Sequence, residues 1–320
     1  MPAINPQPGS MTGVAAGAAG NKGTRMAAGN KGTRMTDASN PMVRRRRLRG
    51  ELRTARQEAG LTQEQVASAM DWSLSKVIRI EAGSVGISTN DLKVLLRYYK
   101  ILDPIRTNEL IALARAARES PWSSKYRDVV PARLLQFIEY ETATYIRREF
   151  DHLLVPGLLQ TEEYAHAIIQ RYVEKPTDEK IEALVEVRMK RQELLTKKVD
   201  APLLFFILDE AVVHRHVGST AAMRRQIRHL IDMAAPRLTI EVIPYSSGAH
   251  PAMERPFVIL EFPDVADDDV LYLESPRGDT LSDEPEEILS YREAFEQLRK
   301  ISLGPEGSLT CLEKVIAELA

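Results

Sequence analysis

Cysteine is nearly absent: Cys311 is alone among 320 residues. No disulfide can form within the chain, a cysteine-based zinc finger is excluded, and a reducing cytoplasmic location is the expectation. No run of about 18 or more apolar residues occurs, which removes a membrane-spanning helix. The first residues lack the apolar stretch of a secretory signal, so secretion is not expected. Also missing are G-x-S-x-G, H-E-x-x-H, a P-loop and G-x-G-x-x-G. A protein without catalysis or cofactor is therefore expected. What is present is ordinary: 44% apolar and 28% charged residues, enough for two globular domains.

The formal net charge of −2 conceals a dipolar chain. Residues 1–100 hold 16 Lys+Arg against 7 Asp+Glu, whereas residues 251–320 hold 6 against 17. A basic end can neutralise phosphates and an acidic end cannot, so nucleic acid is expected at the N-terminal end only. The densest basic run is Arg44, Arg45, Arg46 and Arg47. It reads either as a solvated tail or as an arm following the DNA backbone or entering the minor groove.

Leu61–Gly83 carries the strongest local signal. Thr62 can cap one short helix with Val66, Ala67 and Met70 on one face. Asp71 tolerates the left-handed backbone of a tight turn. Ser73 can cap a second helix, with Val77 and Ile80 on its apolar stripe and Ser75, Lys76 and Arg79 opposite. Gly83 supplies a stop. Small Ala67 lets the two helices cross closely, leaving the polar stripe of the second free to enter a major groove. The expected contacts are Gln63 to a phosphate, and Ser73, Leu74, Ser75 and Lys76 near base edges. Leu74 suits a thymine methyl, Lys76 a guanine O6/N7, and Arg79 either a base or the backbone.

This stretch resembles the Cro/C1-type (xenobiotic-response-element) regulators, in which Leu-Thr-Gln opens one helix and Ile-x-x-Ile/Leu-Glu-x-Gly closes the next. The likeness covers about residues 46–100. Asp71 stands where that family usually has glycine, and Leu74 where many members have a polar base reader. The resemblance implies a DNA-binding regulator, expected to be a repressor. Because one such motif buries too little to be specific alone, a homodimer on a two-fold double-stranded site is expected.

Around the motif, Leu48, Leu52, Ala55 and Ala59 mark a preceding helix. Ser88 and Pro104 open two more, whose faces carry Leu92, Leu95, Leu96 and Tyr99, then Leu110, Leu113 and Ala114. The reading is a five-helix domain over 44–120, closed by Glu119, Ser120 and Pro121. Upstream, AAGNKGTRM occurs twice without change, at Ala18–Met26 and Ala27–Met35. Two copies of nine small or polar residues cannot bury a core, so residues 1–43 are expected to be a disordered tail. A duplication in the DNA or a start at Met35 would account for the repeat.

Residues 121–320 read as a larger α+β domain. The stretch after Pro131 to Phe150 reads as helical, as do Thr177–Lys198, Ala221–Ala235, Glu286–Ile301 and Leu309–Leu319. Four strands are expected, at Leu203–Leu208, Leu238–Ile243, Phe257–Phe262 and Val270–Glu274. This half resembles the C-terminal domain of antitoxin-like regulators of sporulating actinobacteria, through Val155–Thr161, Tyr164-Ala165, Arg188 with Arg191 and Gln192, Leu208–Glu210 and Val242–Pro244. The resemblance implies a domain engaging a small partner protein. The alternative for the whole chain is an antitoxin-like protein that neutralises such a partner and binds DNA for autoregulation. His214 and His216, with Asp209 and Glu210, are not expected to form a metal site. Asp267, Asp268 and Asp269 read as a solvated loop. Arg188 and Arg191 share a helix face suited to an anion or to an internal salt bridge.

Overall fold

The computed structural model describes residues 41–81, 85–117, 122–173, 177–196, 201–264, 267–275 and 278–319, apart from the side chains of 42 and 194–196. The tandem repeat and tail, Gly83, and the boundary expected at Glu119–Pro121 lie outside the described residues.

Five helices come first: α1 (Pro41–Glu58), α2 (Gln63–Ala69), α3 (Leu74–Glu81), α4 (Thr89–Tyr98) and α5 (Pro104–Ala116). Ser88 accepts from the Asp91 N–H to cap α4, and Asp103 caps α5 ahead of Pro104. Their apolar stripes meet in one core that includes Leu52, Val66, Val77, Ile80, Leu92, Leu96, Leu110 and Ala114. These are the positions that helical spacing nominates.

The second half runs α6 (Ala132–Glu141), β1 (Ile146–Asp151), α7 (Glu162–Tyr172), α8 (Asp178–Thr196), β2 (Leu203–Asp209), α9 (Glu210–His214), α10 (Thr220–Met233), β3 (Leu238–Ile243), β4 (Phe257–Glu261), β5 (Val270–Leu273), β6 (Thr280–Ser282), α11 (Pro285–Ile301) and α12 (Gly304–Glu318). The six-stranded sheet has the order β3-β2-β1-β4-β5-β6. β1, β2 and β3 pair in parallel, whereas β4, β5 and β6 add on antiparallel. One face packs Leu204, Phe206 and Leu208 against α7, α10 and α12. The other packs Phe150, Phe257, Ile259 and Leu271 against Ile288, Phe295 and Leu298 of α11.

Two strands are additional to the four expected. β6 has only three residues and carries no pattern. β1 was hidden inside the helix expected up to Phe150; that helix stops at Glu141. The physical reason is its composition: Arg147 and Glu149 are buried on a central strand, where an apolar run would normally announce it. Their charges are answered internally. Arg147 donates to Glu149 (2.8 Å) and to Glu141, and Arg191 on α8 donates to both oxygens of Glu141 at 2.8 and 2.9 Å. Arg191 is thus an internal salt-bridge partner. Arg188 donates to Gln160 (2.6 Å), while Gln192 donates to the carbonyls of Gly157 and Gln160. The stretch Val155–Thr161 accordingly seats α8.

Asp151 closes β1, with one oxygen accepting from the N–H groups of Leu153 and Leu154. Burial pushes its pKa up to about 7; those two hydrogen bonds pull it down, and Glu149 and Glu274 add repulsion. The folded value lies above the unfolded one, so stability from this group is present below about pH 4 and is lost as pH rises through 7. Asp151→Asn is therefore expected to stabilise the chain by on the order of 2 kcal/mol at about pH 8 and by much less at about pH 5. Urea titrations at the two pH values check this.

Candidate nucleic-acid interface

Thr62 and Gln65 cap α2 reciprocally: the Thr62 hydroxyl accepts from the Gln65 N–H, and the Thr62 N–H donates to Gln65 Oε1 at 2.8 Å. Val66 and Ala67 are buried in the core shared with Val77 and Ile80 of α3. Between the helices Asp71 takes a left-handed conformation, φ +53°, and the Trp72 N–H returns to the Ala67 carbonyl. The Ser73 hydroxyl then accepts from the Lys76 N–H at 3.2 Å to start α3. Asp71 pays the steric cost that a glycine would avoid. Asp71→Gly is expected to raise stability by about 0.5–1 kcal/mol with DNA affinity unchanged, as read by thermal melting and titration.

With Val77 and Ile80 inward, α3 exposes Ser73, Leu74, Ser75, Ile78 and Arg79. Arg79 lies along its own helix, its Nε donating to the Ser75 carbonyl at 3.2 Å. Lys76 is differently placed: its ammonium sits over the Trp72 ring, 3.8 Å from the centroid, and 3.5 Å from a carboxylate oxygen of Asp91. It must leave both to reach a base.

Gln63, expected at a phosphate, is turned inward. Its amide donates to Glu81 at 2.8 Å, and Glu81 also receives Arg56 of α1 at 2.7 and 3.1 Å. The third Arg56 nitrogen donates to the Leu61 carbonyl. This buried clamp joins the end of α3 to α1 and to the start of α2, and so sets the angle at which α3 is presented. Neighbour spacing could not reveal it, because Arg56 and Glu81 lie 25 residues apart. Arg53 was also overlooked. It is exposed on α1 and, with Gln63 and Ile78, borders a hollow of about 540 Å³ beside α3.

The arginine run is not an arm. It forms part of α1, and Arg46 and Arg47 face the acidic half of the chain. Arg46 is buried, donating to the carbonyls of Asp268 (2.5 Å) and Asp269 (2.9 Å) and to the Asp283 carboxylate (3.2 Å). Arg47 pairs with Asp264 at 2.8 Å, and Arg49 with Asp283. Arg45 donates to the Ala117 carbonyl, and Arg44 is half-buried and engaged as well. The loop at Asp267–Asp269 leaves the Asp268 side chain in solvent, as expected, while the carbonyls of Asp268 and Asp269 receive Arg46 of α1. Burial works against the ionisation of Asp283, yet Arg49 and Arg46 together hold its pKa below the ordinary carboxylate value. Cations that stay exposed on the helical half include Arg53, Arg79, Lys93, Arg97, Lys100 and Arg115.

Comparison with known families agrees with this geometry. Residues 47–110 match a helix-turn-helix domain. Residues 134–314, more than half the chain, match the family described as a domain of unknown function, DUF5753. The chain belongs to the DUF5753 family. Its N-terminal helices are a helix-turn-helix domain, whose usual work is DNA binding and regulation. No curated protein and no solved structure matches the chain. Among the described residues, no helix is long and apolar enough to cross a membrane.

Proposed function

We propose that this chain is a sequence-specific transcriptional regulator of the Cro/C1 (xenobiotic-response-element) type. It works in the cytoplasm without catalysis, most simply as a repressor, and binds as a dimer to two half-sites about 10 base pairs apart or a multiple of that. The observation that carries the reading is the split surface of α3: Val77 and Ile80 bury one stripe, while Ser75, Leu74 and Arg79 remain exposed on a basic helical domain. Leu74 suits a thymine methyl and Arg79 a guanine edge; Arg53, Lys93 and Arg97 suit phosphates.

The second domain supplies the control, through a ligand or a small partner protein. Support comes from its junction with α1. Val43 packs with Phe137 and Tyr140 of α6, and the Arg46 guanidinium lies 5.9 Å from the Tyr140 ring centroid. A change in the second domain thereby moves the helix from which α3 is hung. Arg79→Ala tests the reading: affinity for the specific site should fall by about 1–3 kcal/mol, with a smaller loss on random DNA. Equal losses on both would reduce Arg79 to a phosphate contact and remove the basis for specificity.

A further inference from the structure

A cavity of about 1500 Å³ opens between α8, the end of α10, and the first residues of β2 and β3. Its floor is apolar: Val185, Met189, Leu204, Met233 and Leu238. Its rim is acidic. Glu162, Glu179 and Glu182 face it, and no lysine or arginine among the described residues lies within ion-pair distance of them; Glu182 has only His166 at 3.7 Å. Of the two basic lining residues, Lys190 pairs with Glu193 (2.9 Å) on the same rim and Arg237 donates to the Ala201 carbonyl (2.6 Å); with Glu186 the described lining holds five glutamates against these two cations, so it stays net negative. The carboxyl end of α10 points its negative dipole at the same space. Within the wall, His229 Nε2 is buried with no hydrogen-bond partner. Burial lowers the pKa of this imidazole, so it is neutral at pH 7.

We infer that this cavity binds an organic cation with a bulky apolar body. The floor removes the body from water and the carboxylates of the rim stabilise the charge. An anion of the same shape is repelled. Two methionines on the floor adapt to the outline of the guest. The volume exceeds the roughly 300–1,000 Å³ typical of a drug-sized site, so it accommodates a large body and a short amine would leave most of it unfilled.

The wall is also the start of a route to DNA. α8 carries Val185 and Met189 on the cavity side and Arg191 on the side that holds Glu141 of α6; the next α6 residue inward, Tyr140, lies beneath Arg46 of α1. As the effector site of a regulator, the cavity rests on the function proposed above. As a binding site it stands alone, and the two can fail separately.

The test titrates the full chain, without DNA, with tetraphenylphosphonium and with tetraphenylborate, an isosteric pair of opposite charge, by calorimetry and thermal melting. The phosphonium is expected to bind, to raise the melting temperature, and to bind at least roughly tenfold more tightly than the borate. Glu179→Gln with Glu182→Gln, both on the helix surface, should weaken the phosphonium roughly fivefold and leave the melting temperature of the free protein unchanged. Met233→Trp, which fills the floor, should abolish binding. Equal affinity for the two ions, no phosphonium binding, or glutamine variants with undiminished affinity would overturn the proposal. Retention of genomic DNA, measured in parallel without either ion, reports on the regulator reading alone.

Discussion

Leucine in place of Glu141 is expected to cost about 3–5 kcal/mol of folding stability, the largest effect of any single substitution proposed for this chain. The side chain is 1% exposed and answers two guanidinium groups, Arg147 at 2% and Arg191 at 7%. Removing the carboxylate leaves Arg191 without an ion-pair partner among the described residues, with Glu149 and Glu274 acting on it only at longer range, while Arg147 keeps Glu149. Returning either guanidinium to water requires α8 to lift from the sheet. Burial opposes the ionisation of Glu141, yet Arg191 and Arg147 together hold its pKa below the ordinary carboxylate value. Its stabilisation is present above the unfolded pKa and is lost as pH falls through the folded one, so wild type and variant should converge in acid. Replacing Arg191 by methionine alongside Glu141→Leu should recover most of the loss, because Arg147 keeps Glu149 and no guanidinium is left without an ion-pair partner. Denaturant titration of the single and double variants measures both statements. A single variant within about 0.5 kcal/mol of wild type would show that the three residues do not act as a unit.

The second large effect falls on the helix-turn-helix domain. Glu81→Leu is expected to destabilise it by about 2–4 kcal/mol and to abolish specific DNA binding, although Glu81 is buried and points away from the exposed face of α3. The carboxylate holds Arg56 and Gln63 together, and Arg56 in turn holds the Leu61 carbonyl. Without it α3 keeps its apolar stripe but loses the polar bolt that fixes its tilt on α1. Arg79→Ala offers the contrast: lost DNA specificity with melting unchanged. Circular dichroism melts beside DNA titrations separate the two kinds of loss. Glu81→Leu with full operator affinity would mean that the clamp does not orient α3.

Local chemistry made the helix-turn-helix readable. Caps at Thr62, Ser73 and Ser88, a turn at Asp71 and the apolar stripes of α2 to α5 all lie within a few residues of what they act on. The apolar runs of β2, β3, β4 and β5 were legible for the same reason. β1 was not, because its inward positions carry Arg147 and Glu149, which answer each other and Glu141 of α6, so no apolar run marks the strand. The arginine run misled in a similar way. A dense cluster of positive charge announces that something will neutralise it, but not what. Here the answer is acidic residues 217 to 237 positions later, Asp264 and Asp283, where a reading by proximity predicts phosphates. Gln63 was drawn inward by Glu81, 18 residues on. In each case the missing information is a tertiary contact between groups whose types were already visible.

The most direct measurement is capture of sheared genomic DNA by the purified chain at low salt, followed by footprinting of the retained fragments, for wild type and for Ser75→Ala with Arg79→Ala. The account predicts a small set of fragments protected in two symmetric patches about one helical turn apart or a multiple of it, and loss of that set in the double variant. Wild-type protein that retains no fragment, or a double variant that protects the same sequences as well as wild type, would contradict it.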